Sequence, residues 1–367
     1  MILKIACIAD IHFGAQSSMT DSLYKNLHEY FIKSLKAKNP DIIVIAGDYY
    51  HTKLSVSSVE AQFAINFMRE LRDAFPSAAI LVVHGTETHD MNQLNVFKSM
   101  INDNFKVYDK FTVDMVKGMK LLIIPEEYYP DKSVYDEVLN PAEKYDWVFF
   151  HGLFSHAGSY ATKVGNKFNK ICFSTTDFSN NVYGRVTGGH IHDPIVKDNV
   201  DYCGSFDTWI FGENPTKGFR YYEYDNSSKT VLVNEFIENL GNHSYVTVNF
   251  KDLDCNDVDK LVEDIAERSS KVDWLRIKVF RNDCISDSEI QNLVSVSMKF
   301  PNVVLLKESV GVSKEKTEEE QKADIDRKNR ISEYENLSFN QITKKFAKDK
   351  FGINVSDDQI AEVLFSK

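Results

Sequence analysis

The 367-residue chain has no run of about 18 apolar residues, so nothing in it predicts a helix that spans a bilayer. Its opening stretch, Met1 to Ala9, is too short for a cleavable signal and lacks the basic start and A-x-A end of one, which points to a cytoplasmic protein. Cysteine is scarce. The five residues (Cys7, Cys172, Cys203, Cys255 and Cys284) form an odd set with no C-x-x-C spacing, which argues against a disulfide framework or a zinc ribbon and fits a reducing compartment. No G-x-x-x-x-G-K-[ST] stretch occurs, so this chain does not handle ATP through a P-loop, and no internal repeat is evident. Positive charge is in deficit too: a formal net charge of −11 excludes holding nucleic acid by bulk positive potential alone. A nuclease is not excluded, because bound divalent cations add positive charge where carboxylates are densest. What remains is ordinary. With 43% hydrophobic and 26% charged residues the chain owns a core, and its length suggests two or three domains.

The first half alternates strands and helices. Lys4–Ala9, Asp41–Ala46, Ile80–His84, Lys106–Tyr108, Met119–Pro125 and Trp147–His151 read as strands, and Leu23, Leu27, Tyr30, Phe31 and Leu35 follow helical spacing until Asn39-Pro40. Phe63, Phe67 and Leu71 mark the inward stripe of a second helix, and Asn92–Asn102 reads as a third. This rhythm implies an α/β fold whose chemistry collects on loops at the carboxyl ends of strands. From Val182 to about Glu238 the strands become short and aromatic, closing the first domain (1–238) with antiparallel pairs. Residues 240–310 then read β-α-β-α-β, a small α/β cap whose acidic residues outnumber its basic ones 12 to 9. Residues 311–367 are expected to be a solvated, mixed-charge linker, Lys314–Arg330, and two short amphipathic helices, Leu337–Ala347 and Asp357–Phe365. Helices that small need something to pack on, either their own chain or a partner.

Chemistry-bearing residues stand at successive strand ends: Asp10-Ile11-His12, Gly47-Asp48-Tyr49-Tyr50-His51, His84-Gly85-Thr86-Glu87-Thr88-His89-Asp90, His151-Gly152 and Gly188-Gly189-His190-Ile191-His192. In extended chain, residues two apart face alike, so D-x-H and H-x-H each offer two side chains to one site. Each piece alone is more often an ordinary polar turn. Five in succession predict a binuclear site, and carboxylates mixed with imidazoles suit Mn²⁺, Fe²⁺ or Zn²⁺ more than Ca²⁺ or an iron–sulfur centre. Two such ions can clamp a phosphate and activate water, which is the chemistry of phosphoester hydrolysis.

These blocks resemble those of the calcineurin-like metallophosphoesterases: D-x-H, G-D-x-x-(x), G-N-H-(D/E), a later H and G-H-x-H. His51 in G-D-Y-Y-H, Tyr202-Cys203-Gly204-Ser205, Phe211-Gly212-Glu213 and Lys217-Gly218-Phe219 resemble more closely the SbcD branch, the bacterial and phage counterpart of the Mre-type DNA-repair nucleases. The resemblance implies a sandwich of two sheets flanked by helices, with a small α/β cap and a helical C-terminal tail. It implies that Asp10, His12, Asp48 and His192 hold one metal and that Asp48 bridges to a second held by His151 and His190. It makes His89 the catalytic histidine, with Asp90 orienting its ring, and puts His51 on the substrate phosphate. The cofactors implied are two divalent ions, Mn²⁺ first and Mg²⁺ as the alternative. The implied partners are DNA (duplex ends, hairpins or single strands), an SbcC-type coiled-coil ATPase bound through the C-terminal helices, and a second copy paired through Ser57–Phe75 and Asn92–Asn102.

One departure stands out. The asparagine before the catalytic histidine, a ligand of the second metal in the family, is missing; Thr88 holds its position and Glu87 is a charged alternative. Plainer readings stay open for His89, as a turn histidine satisfied by Asp90, and for His51. His84 and His156 match no block and are read as structural. The leading expectation is a Mn²⁺-dependent DNA exonuclease and endonuclease subunit acting in repair, recombination or phage DNA processing. Its rivals are a phosphoesterase on a non-DNA substrate and a catalytically weakened DNA-end-binding subunit.

Overall fold

The computed structural model describes residues 1–90, 92–102, 104–129, 131–157, 171–253, 258–280 and 287–308, with Lys344, Lys348 and Ser356. Two six-stranded sheets dominate it. The first is built from β1 (Ile2–Ile8), β2 (Ile42–Ala46), β3 (Ala79–Val83) and β4 (Phe105–Tyr108), extended at its other edge by β13 (Gly218–Asp225) and β14 (Thr230–Glu238) in the order β14-β13-β1-β2-β3-β4. The second contains β5 (Thr112–Val116), β6 (Met119–Ile124), β7 (Trp147–His151), β10 (Val186–Gly189), β11 (Val196–Lys197) and β12 (Val200–Tyr202) in the order β11-β12-β10-β7-β6-β5. A small pair, β8 (Leu153–Phe154) and β9 (Cys172–Phe173), stands beside it.

The apolar runs are continuous because both faces of each central strand are covered. Side-chain alternation sorts them. Leu3, Ile5 and Cys7 with Ile42, Val44, Leu81, Leu121, Ile123, Trp147 and Phe149 fill the space between the sheets. Their neighbours Ala6, Ile8, Ile43, Ile45, Ile80 and Val82 face the helices that cover the first sheet. Those helices are α1 (Thr20–Asn26), which continues through a π turn (Leu27–Ile32) into α2 (Lys33–Lys38), and α3 (Val59–Ala74). Left-handed Asn39 (φ 49°) ends α2 at the expected place. Phe67 is fully buried on α3, while Phe63 is half-buried against Tyr24. The expected helix at Asn92–Asn102 is a 3₁₀ helix, Gln93–Met100, whose tighter winding sends Leu94 and Phe97, three apart, inward together.

The antiparallel closure is present, with β13 pairing against both β1 and β14. Residues beyond it form β15 (Tyr245–Asn249), α5 (Val258–Ser269), β16 (Trp274–Phe280), α6 (Asp287–Ser297) and β17 (Val303–Glu308), in the sheet order β15-β16-β17 around a separate core that includes Ile265, Leu275, Ile277 and Leu293; a one-turn helix, α4 (Glu87–Asp90), lies earlier in the chain. The chain forms two compact units, Met1–Val279 with Ile285–Leu306, and Phe280–Cys284 with Lys307–Lys367. Most of the β-α-β-α-β segment therefore clusters with the two large sheets. Within this first unit His243, just ahead of β15, is tied to earlier parts of the chain: it donates from Nδ1 to Asp207 Oδ2 at 2.6 Å while its Nε2 meets Ser22 Oγ at 2.7 Å. The expected linker and C-terminal helices lie outside the described residues, apart from the three isolated positions above. Cys7, Cys172 and Cys203 are free thiols. No described helix is long and apolar enough to cross a membrane.

Candidate metal centre

The parallel register sets Cys7 beside Val44 and Ile8 beside Ile45, so the loops after β1 and β2 leave the sheet side by side. They stay paired: Asp10 N donates to Gly47 O at 3.1 Å, His12 N to Asp48 O at 3.0 Å and His51 N to Phe13 O at 2.9 Å. In the second sheet β10 lies parallel to β7 with Gly189 opposite His151. A side chain at Gly189 would put its Cβ 2.6 Å from Ala46 O and 2.7 Å from Asp10 Oδ2, so glycine is what lets the two sheets close at this end. Gly47, at φ +83°, leaves room in the same way for the His151 ring, 2.1 Å from where a Cβ would be.

Asp10 (φ 51°), His12 (φ 53°), Asp48 (φ 49°) and His190 (φ 97°) all occupy the left-handed region without being glycine. Such residues cost of order 1–3 kcal/mol each and persist where surrounding structure forces them. Four together, each bearing a carboxylate or imidazole, mark this loop cluster as functional.

Three groups of side chains bring ligand atoms within 4.8 Å of one another: Asp10, His12 and His192; Asp48, His151 and His190; and His12, His51 and His89. The first two match the ligand sets that the family resemblance implies, apart from Asp48's place in the first. His12 joins them, its Nε2 standing 3.1 Å from His192 Nε2 and 3.9 Å from Asp48 Oδ2. The residues fit divalent cations by a direct test. Nε2 of His151 and Nδ1 of His190 are buried without a hydrogen bond, although orphaned buried polar atoms are rare in folded proteins. His151 Nδ1 donates to Ala46 O at 2.8 Å, which places a proton on Nδ1 and turns Nε2 toward Asp48 Oδ1, 3.4 Å away.

The charged groups of the site also shift one another strongly. Burial pushes the Asp48 carboxyl up, but His151, together with His12 and His89, holds the group well below the usual carboxylate range. Burial disfavours charge on His151 as well, yet neighbouring Asp48 raises the ring to about 10. Desolvation drives His12 well below its ordinary value, and raises Asp10.

The expected contact between Asp90 and the His89 ring is not formed. His89 Nδ1 is held by the main-chain carbonyl of His51, and its Nε2 stands 3.9 Å from Asp48 Oδ2. Asp90 does not touch that ring. Fully buried, it accepts from Tyr50 N at 3.0 Å and Gly85 N at 2.7 Å, locking together the loops after β2 and β3. Burial, with Asp48 nearby, raises its carboxyl to about 6. Two extra residues separate Gly85 from His89, and Thr88 and Glu87 are exposed on the one-turn α4. The residue directly after Gly85 turns inward instead: Thr86 N donates to Asp48 Oδ1 at 2.6 Å. His84 and His156 belong to none of the three groups; His156 packs on Phe154 and Tyr202.

Sequence reasoning singles out Glu213 and Lys217 only as part of a resemblance. Glu213 Oε1 accepts from His192 Nδ1 at 2.6 Å, and its Oε2 pairs with buried Lys217, whose Nζ donates to His192 O at 2.9 Å. Glu126 carries no signal in the sequence at all. It is buried two residues beyond β6, and its Oε2 accepts from Thr86 Oγ1 at 2.7 Å.

The sequence pattern of the family described as Calcineurin-like phosphoesterase matches residues 3–194. The chain belongs to that family. The matched span holds the central strands of both sheets and every residue of the centre except Glu213 and Lys217. The phosphoesterase is 25% identical over 222 residues to "Putative phosphoesterase 244L" of Invertebrate iridescent virus 6, covering 59% of this chain and 74% of that protein. It is 22% identical to the SbcD component of nuclease SbcCD from Staphylococcus epidermidis, covering 83% of this chain and 85% of that one, and 24% identical to the component of the same name from Staphylococcus saprophyticus, covering 83% and 84%. Metallophosphoesterases use divalent metals, and the groups around Asp10 and Asp48 are candidates to hold them in this chain.

Proposed function

We propose that this phosphoesterase is a metal-dependent DNA nuclease subunit that cleaves phosphodiester bonds at DNA ends. The observation that carries the reading is the pair of ligand groups meeting at the strand ends, with two buried imidazole nitrogens left for a cation. The DNA reading is supported by likeness to relatives named as components of the SbcCD nuclease, which extends over 83% of the chain and so beyond the phosphoesterase span. Asp10, His12, Asp48 and His192 would hold one ion, and Asp48, His151 and His190 the other. Bound divalent ions supply Lewis-acid polarisation of a phosphoryl oxygen and lower the pKa of water, and Mn²⁺ suits these ligands.

The protein's own groups do the rest. His89, a quarter exposed, presents Nε2 toward Asp48, where it can hand a proton to the leaving oxygen. His51 lies against both His12 and His89, placed to meet a substrate phosphate oxygen. Residues 240–310 would cap the site against DNA, and the two helices within 311–367 would engage an SbcC-type ATPase. A second copy would pair through Ser57–Phe75 and Asn92–Asn102.

Digestion of end-labelled duplex DNA with Mn²⁺, beside hydrolysis of bis-p-nitrophenyl phosphate, tests the reading. Cleavage of both, lost in Asp48→Ala with the fold intact, is expected. Hydrolysis of the small diester with none of the duplex would move the assignment to another phosphodiester substrate, as the viral relative's name allows.

A further inference from the structure

The family's asparagine is absent, and the two residues that sequence spacing offers in its place, Thr88 and Glu87, are exposed. We infer that Glu126 supplies the missing oxygen ligand to the second metal, the one shared by Asp48, His151 and His190. The inference rests on the two-ion reading of the site. Glu126 leaves the carboxyl end of β6, which lies parallel to β7, so it emerges on the same side as His151. Its carboxylate is 4% exposed, and Oε2 stands 3.4 Å from His190 Nδ1 and 3.9 Å from His151 Nε2, the two buried nitrogens without hydrogen bonds. Glu127, one residue on, points away, accepting from Phe111 N and Tyr129 OH.

Thr86 occupies the position directly after Gly85 but does not replace the amide. Its hydroxyl donates to Glu126 at 2.7 Å and lies 3.3 Å from Asp48 Oδ2, so its hydrogen is committed to carboxylates. A hydroxyl is also a weaker metal donor than a carboxylate for hard divalent ions. Thr86 therefore steadies Glu126, and the neutral amide of the family is exchanged for a charged oxygen delivered from a different strand. With Asp48 and Glu126, two carboxylates and two imidazoles surround the second position.

Metal-stripped full-length protein titrated with Mn²⁺, with bound ions counted and the spin-coupled pair followed by electron paramagnetic resonance, tests this without reference to activity. Wild type is expected to bind two ions and give the coupled signal. Glu126→Ala should bind one ion, lose the coupling and weaken second-ion affinity at least tenfold. Glu126→Gln keeps the shape and an oxygen donor, and should weaken the second ion by at least threefold while still folding. Thr86→Val should keep both ions. Second-ion affinity unchanged in both Glu126 variants overturns the inference while leaving the two-ion reading intact, and so does loss of the second ion in Thr86→Val alone. A wild type that binds fewer than two ions removes both.

Discussion

The imidazole of His89 hangs from the backbone carbonyl of His51, and the contact settles which nitrogen is which. A carbonyl only accepts, so Nδ1 carries a proton and Nε2 is the nitrogen that gains or loses one. Because Nε2 faces the Asp48 side of the centre, the ring is poised to act as an acid once Nε2 is protonated. Asp90, the neighbour in sequence, works on the backbone instead.

His89→Gln is accordingly expected to lower kcat for diester hydrolysis by about 10²- to 10⁴-fold, the usual range for a lost proton donor, with Mn²⁺ stoichiometry unchanged. Steady-state kinetics with parallel metal analysis checks it; a fall in bound metal that accounts for the whole rate loss would make His89 a ligand.

Glu213 holds His192 by a 2.6 Å hydrogen bond from Nδ1. Replacing it by Gln removes the charge but keeps the shape, and outer partners of this kind typically matter 10- to 100-fold in metal affinity. Isothermal titration of Glu213→Gln with Mn²⁺ should show about that loss, with a lower melting temperature as well because buried Lys217 loses its carboxylate partner. Equal affinity in mutant and wild type would mean that the pair does not steady His192 for a metal.

Gly47→Ala places a Cβ against the His151 ring in a left-handed backbone. The backbone strain alone should cost roughly 1–3 kcal/mol, read as a lower urea midpoint. Displacement of His151 should also weaken metal binding. A variant with wild-type stability and metal content would mean that the loop relaxes freely.

His243 gives a pH signature. Burial lowers its pKa, but the hydrogen bond and charge of Asp207, with Asp273 adding to them, raise it above the ordinary value. A histidine favoured in its charged form in the fold contributes stability that is complete below its unfolded pKa, about 6.5, and is lost as pH rises through the raised folded value. The gap in melting temperature between wild type and His243→Gln should therefore be widest near pH 5.5 and narrow toward pH 9. A gap that stays constant over that range would mean His243 does not titrate with folding.

Much of this protein was written locally. Apolar runs such as Ile42–Ala46 and Trp147–His151, covered on both faces, declared their strands, and the aspartates and histidines just past them declared a candidate metal centre, because a strand end fixes which way the next few residues project. Ligands whose identity depends on loops could not be read so. With two inserted residues after Gly85, Thr88 is exposed and Thr86 turns in, and Asp90 accepts from two backbone N–H groups in place of the His89 ring. Glu126 and Glu127 are chemically alike and adjacent, so composition cannot choose between them. The choice falls to the parity of the chain as it leaves β6 and to how closely Gly189 lets the two sheets approach, and both are set by contacts between residues far apart in sequence.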